Sequence, residues 1–135
     1  MENSKNLVQL TADIIIEFED ESIVLIRRAK DPFKDCWAIP GGKLEGRETV
    51  EETAVREAKE ETGLDVELIR LVGIYSNPDR DPRGRFVSAA YVALPTGGSL
   101  NAASDAKEFI RTKDFASLEL AFDHARILED YVRSK

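Results

Sequence analysis

The chain reads as an α/β protein with a mixed β-sheet covered by helices. Three features point there: apolar, β-branched runs recur along its length, a glutamate-rich helix with signals at both ends lies among them, and an amphipathic segment closes the sequence. Residues 7–18 are rich in Leu, Val and Ile, and residues 22–29 form a second such run. The polar Glu19-Asp20-Glu21 between them predicts a hairpin. Asp31-Pro32 then breaks regular structure, and a loop is expected through Trp37 to Pro40-Gly41-Gly42. Thr49-Val50-Glu51-Glu52 fits a capping box, with Thr49 as N-cap and Glu52 reaching back to it. Gly63 stands where a left-handed residue ends a helix, so a helix is predicted over about residues 50–62.

Residues 66–76 and 85–94 read as two more strands. The polar stretch 77–84 joins them, and its prolines exclude it from either strand. Residues 95–104 read as a loop and 108–112 as a short strand. Residues 123–133 read as a helix with Ile127, Leu128, Tyr131 and Val132 on one face.

Composition narrows the function classes. A chain of 135 residues that is 42% hydrophobic and 33% charged suits one domain, 1–135, with a buried core. The longest unbroken apolar run, residues 89–94, has six residues against the roughly 20 that a membrane helix needs. A membrane-spanning helix is excluded on that ground. With 19 Lys+Arg against 26 Asp+Glu the formal charge is −7, which argues against general nucleic-acid binding. An acidic protein that handles phosphates must import cations, and metal ions are the usual source. The opening MENSKNLVQL has no apolar core of a signal peptide, and Cys36 is the only cysteine, so the expected location is the cytoplasm.

The chemistry concentrates in residues 42–64, which hold seven glutamates, six of them between Glu48 and Glu61. On a helix Glu57, Glu60 and Glu61 share a face, next to the small-residue strip of Val50 and Ala54. One reading is a solvated charged helix. Such helices normally interleave their signs; here Glu52–Arg56 and Arg56–Glu60 are favourable pairs, but Glu57–Glu61 is like-charged. The other reading is a site for a divalent cation. Hard oxygen donors with no nearby cysteine or histidine suit Mg²⁺ or Mn²⁺ rather than zinc. Pro40-Gly41-Gly42 lets backbone approach such a site and exposes a carbonyl to the same metal.

These residues resemble the Nudix box, G-x(5)-E-x(7)-R-E-U-x-E-E-x-G-U with U a bulky apolar residue. Gly42, Glu48, Arg56, Glu57, Glu60, Glu61, Gly63 and Leu64 stand in register, and Ala58 at the first U position is the one small departure. The resemblance extends to the preceding Trp37-Ala38-Ile39-Pro40-Gly41 and the flanking strands. It implies a Nudix-type α/β/α sandwich, with a mixed β-sheet between helices, that hydrolyses a nucleoside diphosphate linked to another moiety. Carried onto this chain, it implies that Glu57, Glu60 and Glu61 hold Mg²⁺, with Mn²⁺ as a substitute. The Gly41 carbonyl would be a further ligand, Glu48 would support the cluster or a second metal, and Arg56 would orient the glutamates. The general base is either a box glutamate or a later one. Glu108 resembles that later position, its plain alternative being a solvent-facing strand residue.

The loop 75–85 is similar to the proline-bearing segment that follows the box in ADP-ribose pyrophosphatases, which implies ADP-ribose as substrate and AMP and ribose 5-phosphate as products. Arg80, Arg83 and Arg85 are candidates to meet a terminal ribose phosphate, although the same loop also reads as a surface turn with Asp79 and Asp81 offsetting the arginines. Of Arg27 and Arg28, strand alternation lets at most one face the site, and Arg27 is named as the candidate. Trp37 is a candidate for stacking on a base, against a place in the core beside Ile39. Phe122-Asp123-His124 also resembles small Nudix hydrolases, with His124 expected as a polar residue opening the last helix. Cys36 is expected to be a packed thiol. Two alternatives share the glutamates: a pyrophosphohydrolase of oxidised or non-standard nucleoside triphosphates, and a nucleotide-binding domain without catalysis. The second usually lacks box glutamates, whereas all four stand here. Members of the ADP-ribose type are often dimers, and that suggests a homodimer.

Overall fold

The computed structural model describes residues 7–101 and 106–135, with the side chains of 106 and 107 left aside. The strands are β1 (Gln9–Ile16), β2 (Ile23–Arg28), β3 (Trp37–Ala38), β4 (Gly41–Lys43), β5 (Leu64–Tyr75), β6 (Phe86–Gly98) and β7 (Ala106–Thr112). The helices are α1 (Val50–Thr62) and α2 (His124–Arg133). Four strands form a mixed sheet in the order β4-β1-β6-β5, in which only β1 and β6 run parallel. The other three form an antiparallel sheet, β3-β2-β7.

Strand alternation puts the four-stranded sheet between the helices. Ala12, Ile14 and Ile16 of β1 pack with Ala54 and Ala58 of α1, whereas Ile15 packs with Ile127, Leu128 and Tyr131 of α2. The expected sandwich with a mixed sheet is therefore present, with a second small sheet beside it. Among the described residues no helix is long and apolar enough to cross a membrane.

Helix α1 matches its expected bounds because its end signals are local. Thr49 Oγ1 accepts the Glu52 N–H at 3.1 Å, and the Glu52 carboxylate accepts the Thr49 N–H at 2.9 Å. Gly63 closes the helix at φ 82°, a conformation glycine adopts without penalty. Elsewhere contacts distant in sequence change the expectation. The hairpin over residues 7–29 survives only at its turn, where Glu17 bridges Ile23. Beyond it β1 and β2 diverge into different sheets, because β1 pairs with β6 and β2 with β7. The loop expected over residues 31–42 carries β3 and β4, and β6 runs through the Pro95 expected to lie in a loop. Residues 102–104 of that expected loop lie outside the described residues. Val132, expected on the buried face of α2, is 51% exposed.

Candidate active site

Helix α1 presents its acidic face to the Gly41–Lys43 strand, and Arg56 sits at the centre of it. Its Nε and Nη2 grip both oxygens of Glu48 at 2.6 and 3.0 Å, and Nη1 donates to Glu57 and Glu60 at 3.1 Å each. Nη2 also donates to the Lys43 carbonyl at 3.0 Å, which ties the helix to β4. The Arg56 guanidinium and the Glu45 N–H hold the Glu48 carboxyl down to about 2. The expected Glu52–Arg56 pair is replaced, since Glu52 is committed to the helix cap.

Glu57 and Glu61 differ from the other two. Glu57 lies against Gly42, where a Cβ would stand 2.5 Å from Glu57 Cδ, so any side chain there would have to displace the Glu57 carboxylate. Glu61 Oε1 accepts the Gly41 N–H at 2.8 Å. Burial pushes the Glu61 carboxyl up to about 8, with Glu57 and Asp13 adding to the shift. Burial likewise raises Glu57 despite its arginine. Among the described residues no three His, Cys, Asp or Glu side chains are gathered as a metal cage; the glutamates turn instead to Arg56 and to the Gly41 amide. The donor set nevertheless fits a hard divalent cation. It is all oxygen, and burial raises its two less exposed carboxyls, Glu57 and Glu61, a cost that a bound cation would offset. Gly42→Ala should keep the helix folded but drive Glu57 out of this position, lowering turnover at fixed Mg²⁺ by more than tenfold; steady-state kinetics with a metal titration check it.

Glu61 opens onto a pocket of about 90 Å³ that also involves Asp13, Arg28, Arg83, Phe122 and His124. A wider groove of about 840 Å³ lies beside it along the end of β5 and the start of α2, with Arg80 and Phe122 lining both. Arg28 stacks on the Phe122 ring at 4.9 Å, and among the described residues no carboxylate lies within salt-bridge distance of it. Burial and the neighbouring Arg83 lower its pKa, so an anion placed there would relieve both. Phe122 holds φ 52°, a rare backbone conformation for a bulky residue, while its ring sits between Arg28 and Arg83.

Several residues named from sequence lie elsewhere. Arg27 points away from the pocket, bonding Glu108 at 2.7 Å and the Asp35 carbonyl at 3.2 Å, and its neighbour Arg28 takes the inward position. Glu108 pairs with Arg27 across β2 and β7, on the strand face it shares with Ile110 of the α2-side core. Phe109, not Glu108, faces the α1-side core, so Glu108 does not join the box glutamates. Arg80 is locked to Asp123 through two bonds of 2.7 and 2.9 Å, and its side chain is 6% exposed. Arg83 lines the pocket while paired with Asp81 at 2.8 Å. Arg85 is exposed and lines a separate hollow with Leu7 and Phe86. Trp37 packs against the α2-side core beside Ile39 rather than into the pocket. Sequence reasoning missed Asp13 altogether; a lone aspartate inside an apolar strand was the signal.

Comparison with known proteins identifies the family and the fold. The NUDIX domain model matches residues 8–131. The ADP-ribose pyrophosphatase of Methanocaldococcus jannaschii is 50% identical over 127 residues, 93% of this chain and 74% of that protein. The NUDIX domain of Shewanella oneidensis NrtR, solved with ADP ribose, matches at a TM-score of 0.82 and 25% identity, covering 96% of this chain and 89% of that one. A bifunctional NMN adenylyltransferase/ADP ribose pyrophosphatase from Francisella tularensis, complexed with AMP and a manganese ion, matches at 0.83 and 27% identity. That match covers 95% of this chain but only 42% of the bifunctional one.

Proposed function

This chain belongs to the NUDIX domain family, and from that membership we propose that it is a metal-dependent pyrophosphohydrolase splitting ADP-ribose into AMP and ribose 5-phosphate. One arrangement carries the reading: partly buried carboxyls at Glu57 and Glu61 beside an arginine- and phenylalanine-lined pocket with a wider groove next to it. A substrate with two arms around a diphosphate matches that layout. The identity to an ADP-ribose pyrophosphatase supports the substrate.

Glu57, Glu60 and Glu61, with the Gly41 carbonyl, would hold the cation, proposed as Mg²⁺ with Mn²⁺ as a substitute. A cation held there would supply charge neutralisation at the diphosphate and an acidified water suited to in-line attack on phosphorus. The protein's own part is positioning. Arg56 keeps Glu48, Glu57 and Glu60 in fixed orientations, and Arg28 offers a cation to a substrate phosphate. With Glu108 turned to Arg27, the base falls to a box carboxylate, and Glu60 is the exposed one, its Oε1 held by Arg56. Incubation with Mg²⁺ and a panel of ADP-ribose, NADH and ordinary or oxidised nucleoside triphosphates tests the proposal. AMP and ribose 5-phosphate from ADP-ribose, ahead of every other product, is the outcome expected; preference for a triphosphate overturns the substrate, and no turnover at all overturns catalysis.

The raised Glu61 carboxyl sets a pH dependence. The folded protein holds this proton up to about 8, against an ordinary value of 4.5. The associated stabilisation is complete below about 4.5 and is lost as pH rises through about 8, by up to about 1.4 kcal/mol per unit between the two. Divalent cation replaces the proton, so its affinity should climb between pH 6 and 8. Melting curves with and without Mg²⁺ across that range check both signs.

The reading extends to a cytoplasmic homodimer. Strand β5 is the open edge of its sheet, with Ile69, Leu71 and Ile74 each about half exposed, which supports pairing with a second copy. Sedimentation at micromolar concentration should give twice the 15.1 kDa chain mass.

A further inference from the structure

We infer that His124 is a positioning residue that fixes the Ile39–Gly41 turn, and through it the metal-binding edge of the site; the inference rests on the reading of Glu61 and Gly41 given above. His124 opens α2 and is 5% exposed. Its Nδ1 accepts the Ile39 N–H at 3.0 Å. A nitrogen with a backbone N–H aimed at it carries no hydrogen of its own, so the ring proton sits on Nε2. Nε2 faces Asp13 Oδ1 at 3.9 Å, and the other Asp13 oxygen accepts the Ser88 hydroxyl at 2.5 Å.

Three consecutive residues are thereby tied to three different elements. Ile39 is held by His124 of α2, the Pro40 carbonyl accepts the Ile14 N–H of β1 at 2.8 Å, and the Gly41 N–H donates to Glu61 of α1 at 2.8 Å. Ile39 is 2% exposed and lies past the end of the β2–β3 pairing, so its N–H has no ladder partner. His124 supplies the acceptor that a buried amide requires. An apolar side chain of similar size would fill the space and leave that amide unmet. The Ile39–Gly41 turn would then relax at the point that sets the Gly41 carbonyl and the Glu61 carboxyl.

The two amide variants separate this role from packing. In His124→Asn the side-chain oxygen falls near the place of Nδ1 and keeps the Ile39 bond. In His124→Gln the amide group lies one bond further out, its NH2 turned towards the Asp13 carboxylate, and the Ile39 bond is lost. Amide hydrogen exchange at Ile39 without metal, Mn²⁺ binding followed by electron paramagnetic resonance, and kcat and KM for ADP-ribose are measured on both. His124→Gln should show fast Ile39 exchange, Mn²⁺ affinity weaker by about 10–100-fold, and a fall in kcat with little change in KM. His124→Asn should stay near the parent in all three. A His124→Gln protein with an exposed Ile39 amide but parental Mn²⁺ affinity and kcat overturns the proposal, as does an Asn variant that loses as much as the Gln one. Should a variant fail to fold, ¹⁵N spectra of the parent ring decide instead, since a proton on Nδ1 rules the arrangement out. A parent with the Nε2–H tautomer and a protected Ile39 amide that binds no Mn²⁺ defeats the reading of the site, and the positioning role with it.

Discussion

Glu61→Gln should abolish turnover while leaving a protein that, without metal, is at least as stable as the parent. The two effects come from one carboxyl. At pH 7 the folded protein still holds the Glu61 proton, and a glutamine has nearly the shape of that protonated form. Its side-chain oxygen can still accept the Gly41 N–H, so the turn keeps its tether. Between about pH 4.5 and 8 unfolding lets the parent ionise this carboxyl, which glutamine cannot do, so the variant should melt higher by a margin that grows across that range and levels off above about 8. Removing a proposed metal ligand costs several kcal/mol of transition-state stabilisation, or about 10³-fold in kcat at 1.4 kcal/mol per tenfold. Mg²⁺ should accordingly raise the melting temperature of the parent and not of the variant. Parental kcat in Glu61→Gln would show that this carboxylate does not hold the catalytic cation.

Arg56→Lys should cost both stability and activity although the charge is kept. The guanidinium reaches both oxygens of Glu48, one each of Glu57 and Glu60, and the Lys43 carbonyl at once. An ammonium is a compact donor without that planar fork, so it satisfies one or two of these partners and releases the rest. The released glutamates repel one another, and the tie between α1 and β4 is lost. A fall in melting temperature of roughly 5 °C or more is expected at neutral pH. Activity should drop about 10–100-fold as the remaining glutamates lose their orientation. The pH profile carries a signature: Arg56 holds Glu48 at about 2, so the stability it lends is present above 4.5 and lost as pH falls towards 2. The gap between parent and variant should therefore close in acid. A gap that stays constant down to pH 2 would mean Glu48 is not the partner that matters.

What could be read from residue order follows the range of the forces involved. Helix α1 was legible to its ends because its cap, its left-handed Gly63 and its spacing act within about four residues. The box glutamates were legible for the same reason, since helical periodicity alone gathers Glu57, Glu60 and Glu61 on one face. The loop arginines show where that reasoning stops. Arg80, Arg83 and Arg85 looked equivalent as a string, yet one is buried on Asp123, one pairs locally with Asp81 beside the pocket, and one faces another hollow.

Read alone, the chain specifies an α/β fold, an acidic helix with defined ends and a set of oxygen donors suited to a divalent cation. It leaves open which of Arg27 and Arg28 turns inward, because alternation says that they differ but not which face meets the pocket. It also leaves open that β1 and β2 part into separate sheets, that Glu108 turns from the glutamates, and that His124 carries the Ile39 amide. Those outcomes depend on partners far apart in sequence, 85 residues for His124 and Ile39 and 43 for Arg80 and Asp123. No local pattern encodes such pairs. They are selected when the sheets close around the core and each buried polar group must find whatever donor or acceptor the packing has brought beside it.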